Sequence, residues 1–80
     1  MGIDFEIAPN PFENTLLLSF RELKNGKCQM FNLMGQMVFD GSFENSKNLD
    51  IKSADLSKGV CSLSLELDSG EREIIKLMKE

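Results

Sequence analysis

Apolar and polar residues alternate along most of this chain. In Asn14–Phe20, the residues Leu16, Leu18 and Phe20 share one face, with Thr15, Leu17 and Ser19 opposite. In Lys27–Asn32, Cys28 and Met30 point one way and Lys27, Gln29 and Phe31 the other. In Gln36–Phe43, Val38 opposes Met37, Phe39 and Phe43, and Asn48–Lys52 puts Leu49 and Ile51 together. Val60–Leu67 is the cleanest stretch, with Cys61, Leu63, Leu65 and Leu67 set against Ser62, Ser64 and Glu66. A period of two with one polar face predicts half-buried strands. Asp4–Ala8 reads as a short first strand stopped by prolines. Glu71–Met78 reads as the last, although Ile74-Ile75 and Leu77-Met78 leave its inward face open.

Turn chemistry punctuates these segments at short intervals. Pro9-Asn10-Pro11, Asn25-Gly26, Met34-Gly35, Asn45-Ser46, Ser57-Lys58-Gly59 and Asp68-Ser69-Gly70 all offer a fixed or left-handed backbone. Two stretches carry helix-forming residues. Phe20–Gly26 gives under two turns and is expected to be a loop. Ser53–Gly59 is able to form one helical turn, capped by Ser53 and ended by Gly59. The pattern predicts an all-β chain: a single domain over residues 1–80, folded as an immunoglobulin-like antiparallel β-sandwich of about seven short strands.

The length of 80 residues supports that size of domain and excludes barrel enzymes and doubly wound nucleotide-binding folds. There is no His, Trp or Tyr, so a catalytic imidazole and the commonest metal ligand are missing. The net charge of −4 argues against a nucleic-acid partner. No hydrophobic run exceeds three residues, which excludes a transmembrane helix. No secretory signal peptide is visible at the start, and the chain reads as a module cut from a longer one, with Met1-Gly2 either native or added.

Candidate chemistry is sparse. Glu66, Asp68, Glu71 and Glu73 flank one turn and Asp50 and Asp55 another, in the manner of solvated strand faces; neither set has calcium-loop spacing. Neither the serines nor the cysteines have a base to activate them. Cys28 and Cys61 lack metal-site spacing and read as small buried apolar residues, with a disulfide left open. The expectation is a non-enzyme with no cofactor, no metal and no small-molecule substrate. Among the six Phe, Phe31 and Phe39 fall opposite Met30 and Val38. If Met30 and Val38 are inside, Phe31, Met37 and Phe39 form either an apolar contact patch or a surface covered by a neighbouring loop.

Four pieces, in order, carry a resemblance. Ala8-Pro9-Asn10-Pro11-Phe12 resembles the PNPF opening of the C-terminal sorting domains of the type IX (Por) secretion system of Bacteroidetes-type bacteria. Met30–Phe39 is similar to that family's "I-Y-N-x-x-G-Q-x-V" hairpin. Leu49-Asp50-Ile51 with Leu56-Ser57-Lys58-Gly59-Val60 resembles its "L-D-(I/L)-S-x-L-x-x-G-(V/I)-Y" stretch. Gly70 with Ile75-Lys76-Leu77-Met78-Lys79 resembles its closing strand. Two departures are Cys61, where the family usually has Tyr, and Phe31, which keeps the ring and loses the hydroxyl. Each piece also reads independently as turn chemistry: Pro9, Asn10 and Pro11 stop strand pairing, and Gly35 and Gly59 free the backbone.

The resemblance implies a C-terminal signal on a larger cargo protein. Such a domain is recognised in the periplasm by the type IX translocon and carries its cargo across the outer membrane. A sortase-like peptidase then removes it, and the cargo is released or attached to the surface. On this reading, recognition is expected at Gly59, Gly70, Ile74, Ile75, Lys76, Leu77 and Lys79, the closing strand and its approaches. Pro9, Asn10, Pro11, Gly35 and Lys58 shape the turns. A sorting domain is expected to end its chain, as Glu80 does here. Dimerisation through an edge strand or the Phe31/Phe39 patch is a further expectation. The rival readings are an immunoglobulin- or fibronectin-like spacer in a surface protein or secreted hydrolase, and a carbohydrate-binding sandwich. The latter generally stacks sugars on Trp or Tyr, which this chain lacks.

Overall fold

The structure, a computed structural model, describes residues 3–10, 12–52 and 58–80. Pro11, the Ser53–Gly59 helical turn except for Lys58 and Gly59, and Met1-Gly2 lie outside the described residues. The elements are β1 (Phe5–Ala8), β2 (Thr15–Phe31), β3 (Met37–Lys52), β4 (Gly59–Leu67) and β5 (Arg72–Lys79). All neighbours pair antiparallel, in the order β1-β2-β4-β5, with β3 on β2.

Five strands stand where about seven short ones were expected, because β2 and β3 run through two of the expected turns. Phe20–Gly26 is strand, not loop, and Asn45-Ser46 lies inside β3. Both faces of the chain are solvated over much of this region, so the alternation that marks a strand is lost there. Along this stretch the β2–β3 ladder slips between Ser19 and Lys24 and again between Lys24 and Gly26. Such bulges bend a strand and increase its twist. Asn45 supports the bend with a φ of 47°, and its N–H donates to the Asn25 side-chain oxygen.

The bend changes β2's company. Its first half pairs with β1 through Leu17–Phe20, and its second half pairs with β4 from Gly26 onward. The sheet therefore curls, and its inner faces meet in one apolar cluster. Leu16, Leu18, Phe20 and Ile51 enter from one side of the bend. Cys28, Met30, Leu63, Leu65 and Leu77 enter from the other. Each buried Leu is worth roughly 1.5–3 kcal/mol of transfer free energy. At the bend Phe20 and Phe43 stack with centroids 5.2 Å apart and planes tilted by 32°.

Register settles the two open faces. Cys61 opposes Leu77 and Leu63 opposes Ile75, so Ile75 and Leu77 turn inward and Ile74, Lys76 and Met78 outward. At the other hairpin, Met30 opposes Phe39 while Phe31 opposes Met37, which leaves Val38 as an extra residue in β3. That bulge corrects the expected Phe31/Met37/Phe39 patch. Phe39 shares Met30's face and packs on the core, whereas Phe31 and Met37 stay outside.

Candidate recognition site

The β2–β3 turn is built by Asn32. Its side-chain oxygen accepts from the N–H groups of Met34 and Gln36, at 2.9 and 3.0 Å. Its amide nitrogen donates to Gln36 Oε1 at 2.9 Å. The backbone closes the same turn, with Asn32 N–H donating to the Gln36 carbonyl and Gly35 N–H to the Asn32 carbonyl, both at 3.0 Å. Gly35 has a φ of 82°, a conformation side chains resist. The Asn, Gly and Gln of the hairpin motif thus form one hydrogen-bonded device. It holds Leu33 and Met34 in solvent, 79% and 83% exposed.

The same end of the sheet receives the other motifs. Gly59 pairs with Lys79 and Val60 with Met78. The segment around the first motif docks on the outer edge of β5. Phe12 N–H donates to the Met78 carbonyl at 3.0 Å, Glu80 N–H to the Phe12 carbonyl at 2.7 Å, and Met78 N–H to Asn10 Oδ1 at 3.2 Å. Phe12 itself is fully buried. Strand alternation then aims the backbone groups of Ile74 and Lys76 at the same outer edge, on a strand that ends the sheet.

The residues expected to carry recognition divide by role. Ile74 and Lys76 are exposed on the outer face. Ile75 and Leu77 face the core, and Lys79, only 5% exposed, is turned inward beside Cys61. Gly59 opens β4 with a φ of 124°, next to the closing residues. Gly70, φ 97°, sits in the β4–β5 link at the far end of β4, about 26 Å away at strand rise. The structure therefore brings Asn10, Gly35, Gly59, Lys76, Leu77 and Lys79 to one end and leaves Gly70 at the other. Pro9 and Lys58 are exposed beside this end. Asn32, Gln36, Phe12, Leu33, Met34 and Val60 lie outside the site residues expected from the sequence, whereas Met78 belongs to the closing strand expected to carry recognition. Leu33-Met34, two large apolar residues in a turn, was the signal available.

Among the described residues no group of His, Cys, Asp and Glu is placed to hold a metal. Cys28 and Cys61 are free and buried. Burial pushes the Cys28 thiol up to about 12. Burial also raises Cys61, against a smaller lowering from the Lys79 charge.

In this small all-β unit most of the motif residues shape one surface at one end of the sheet. Residues 6–80 match the model of the family described as the secretion system C-terminal sorting domain, and the chain belongs to that family, the sorting signals of type IX secretion. No curated protein matches it.

Proposed function

We propose that this chain is the non-catalytic export tail of a larger cargo protein, one domain spanning residues 1–80. The type IX translocon recognises the folded tail in the periplasm and passes the cargo through the outer membrane. A sortase-like peptidase then removes the tail, and the cargo reaches the cell surface or the medium. The observation that carries this reading is the gathering of Asn10 and Phe12, the Asn32–Gln36 turn, Gly59-Val60 and the closing strand at one end of the sheet. In that arrangement Lys76 and Ile74 offer contacts and an open strand edge. Leu77, Lys79, Ile75 and Gly59 hold the edge in place, and Gly70 fixes the register of the β4–β5 hairpin. The fold is read as an immunoglobulin-like sandwich. One layer is β1 with the first half of β2 and the second half of β3. The other is the remaining halves with β4 and β5.

The test is a secretion assay. Residues Gly2–Glu80 are fused behind a periplasm-targeted fluorescent protein in a host with a working type IX system. The expected result is reporter at the surface or in the medium, lost in a translocon-deficient strain. Reporter held in the periplasm with the module folded overturns the proposal and leaves a structural spacer.

A further inference from the structure

The outer face at the motif end carries Lys76 among apolar side chains, with Lys58 exposed beside it at the start of β4. Val60 lies opposite Met78. In the next row Lys76, Ser62, Phe31 and Met37 follow one another across β5, β4, β2 and β3. The Asn32 turn adds Leu33 and Met34 above that row. A shallow cavity of about 190 Å³ opens between them, lined by Asn32, Leu33, Val60, Cys61, Ser62 and Lys76. Among the described residues Lys76 has no ion-pair partner. Asp40, one row further on, is engaged by Gln29 Nε2 at 3.3 Å, and Glu80 is about 13 Å along β5 at strand rise.

We infer that this face docks a protein segment of the export machinery that presents a carboxylate flanked by apolar side chains, the carboxylate meeting Lys76. The inference rests on the export reading above. Charge fixes the occupant. Whatever covers Leu33, Val60 and Met78 also strips water from the Lys76 ammonium, and an unpaired buried ammonium is costly. An acidic atom delivered beside it offsets that cost. An all-apolar occupant leaves the charge stranded, and a basic one adds repulsion. The apolar part also suits a protein partner: Met34, Met37 and Met78 are flexible, polarisable side chains that adapt to a bound surface, and Met is enriched in interface cores. The hydrogen bonds of Asn32 hold Leu33 and Met34 outward before any partner arrives, so less ordering entropy is lost on docking.

The test uses the same reporter fusion with three variants: Lys76→Glu, the double variant Leu33→Ser/Met34→Ser, and Leu23→Ser. Leu23 is an exposed apolar residue of the bend, near the β4–β5 link, and serves as the control. All the substituted side chains are exposed, so circular dichroism and thermal midpoint are expected to match the parent. Lys76→Glu and the double variant are expected to lower surface reporter about tenfold or more, the size of one interface hot spot. Leu23→Ser is expected to export normally. Parent-level export of Lys76→Glu overturns the charge assignment, and parent-level export of the double variant overturns the docking face. A parent dimer in sedimentation that the double variant abolishes, with export intact, puts a second copy on the face and also overturns the inference. If the parent fusion itself stays in the periplasm, the export reading fails first and this one falls with it.

Discussion

Cys28 and Cys61 face the same core and yet have no route to each other in the folded chain. Cys28 lies opposite Leu65 in the β2–β4 ladder, and Cys61 is four residues further along β4. At about 3.3 Å per residue the two Cα atoms are roughly 13 Å apart. A disulfide needs them within about 7 Å. Each thiol is also shielded: Cys28 is 0% and Cys61 3% exposed. Burial takes Cys28 from 9.0 to about 12. At pH 8 that leaves a thiolate fraction of about one in ten thousand, against about one in ten for an ordinary thiol, a thousandfold loss of the reactive form. A chromogenic aromatic disulfide at pH 8 is therefore expected to find both thiols silent in the native protein and both reactive in urea. In urea, oxidised glutathione takes two electrons from the pair and closes the Cys28–Cys61 bond. On dilution the bonded monomer is expected to show no cooperative unfolding transition until dithiothreitol restores the thiols. A bonded monomer that regains the native transition refutes the reasoning, because it requires the Cys28–Leu65 register to be wrong.

Three further outcomes follow from the same structure. In Gly26→Ala the new Cβ runs into the Glu66 carbonyl oxygen and comes within 3.0 Å of the Leu67 Cα, both backbone atoms. A loss of about 1–3 kcal/mol is expected, seen as a thermal midpoint lower by several degrees, and an unchanged midpoint contradicts the strand packing. Asn32→Ala removes three side-chain hydrogen bonds from an exposed turn. About 1 kcal/mol is expected, together with faster protease cleavage at Leu33-Met34, and cleavage at the parent rate counts against the device described. For pH, the folded value of Cys28 lies above its unfolded 9.0, so its stabilisation is complete below pH 9 and drains away as pH rises toward about 12. Urea midpoints are expected to fall across that window and to fall less in Cys28→Ala, compared with that variant's own value at pH 8.

Much of the fold was legible because inward and outward residues alternate wherever a strand has one wet face. Cys61–Leu67 is read correctly residue by residue, and so are Leu16–Phe20 and Cys28–Met30. The failures share a physical origin. Arg21–Gly26 and Glu44–Lys47 carry turn-forming or charged residues, and the chain stays extended there through bulges that only the partner strand reveals. The extra residue Val38 is equally invisible in one strand. Its effect is large, since it turns Phe39 into the core and leaves Phe31 outside. The doubled apolar pairs of β5 were ambiguous in isolation and became definite once Leu63 and Cys61 fixed their register.

The site was legible as motif and illegible as surface, for a related reason. A closing strand rich in Lys and Ile invites the reading that all its side chains contact a partner. In the folded chain alternate residues must serve the core, and Leu77 and Lys79 are on that side. Deleting Leu77–Glu80 therefore removes core packing and the partners of Asn10 and Phe12 along with any signal. Loss of export after such a deletion does not separate recognition from folding. The separation needs the outward residues, Lys76 with Leu33 and Met34, whose substitution leaves the buried side untouched. The hairpin motif makes the complementary case. Its Asn, Gly and Gln are spent on one another in the turn, so their part in recognition is to present the two residues between them, which the motif leaves unspecified.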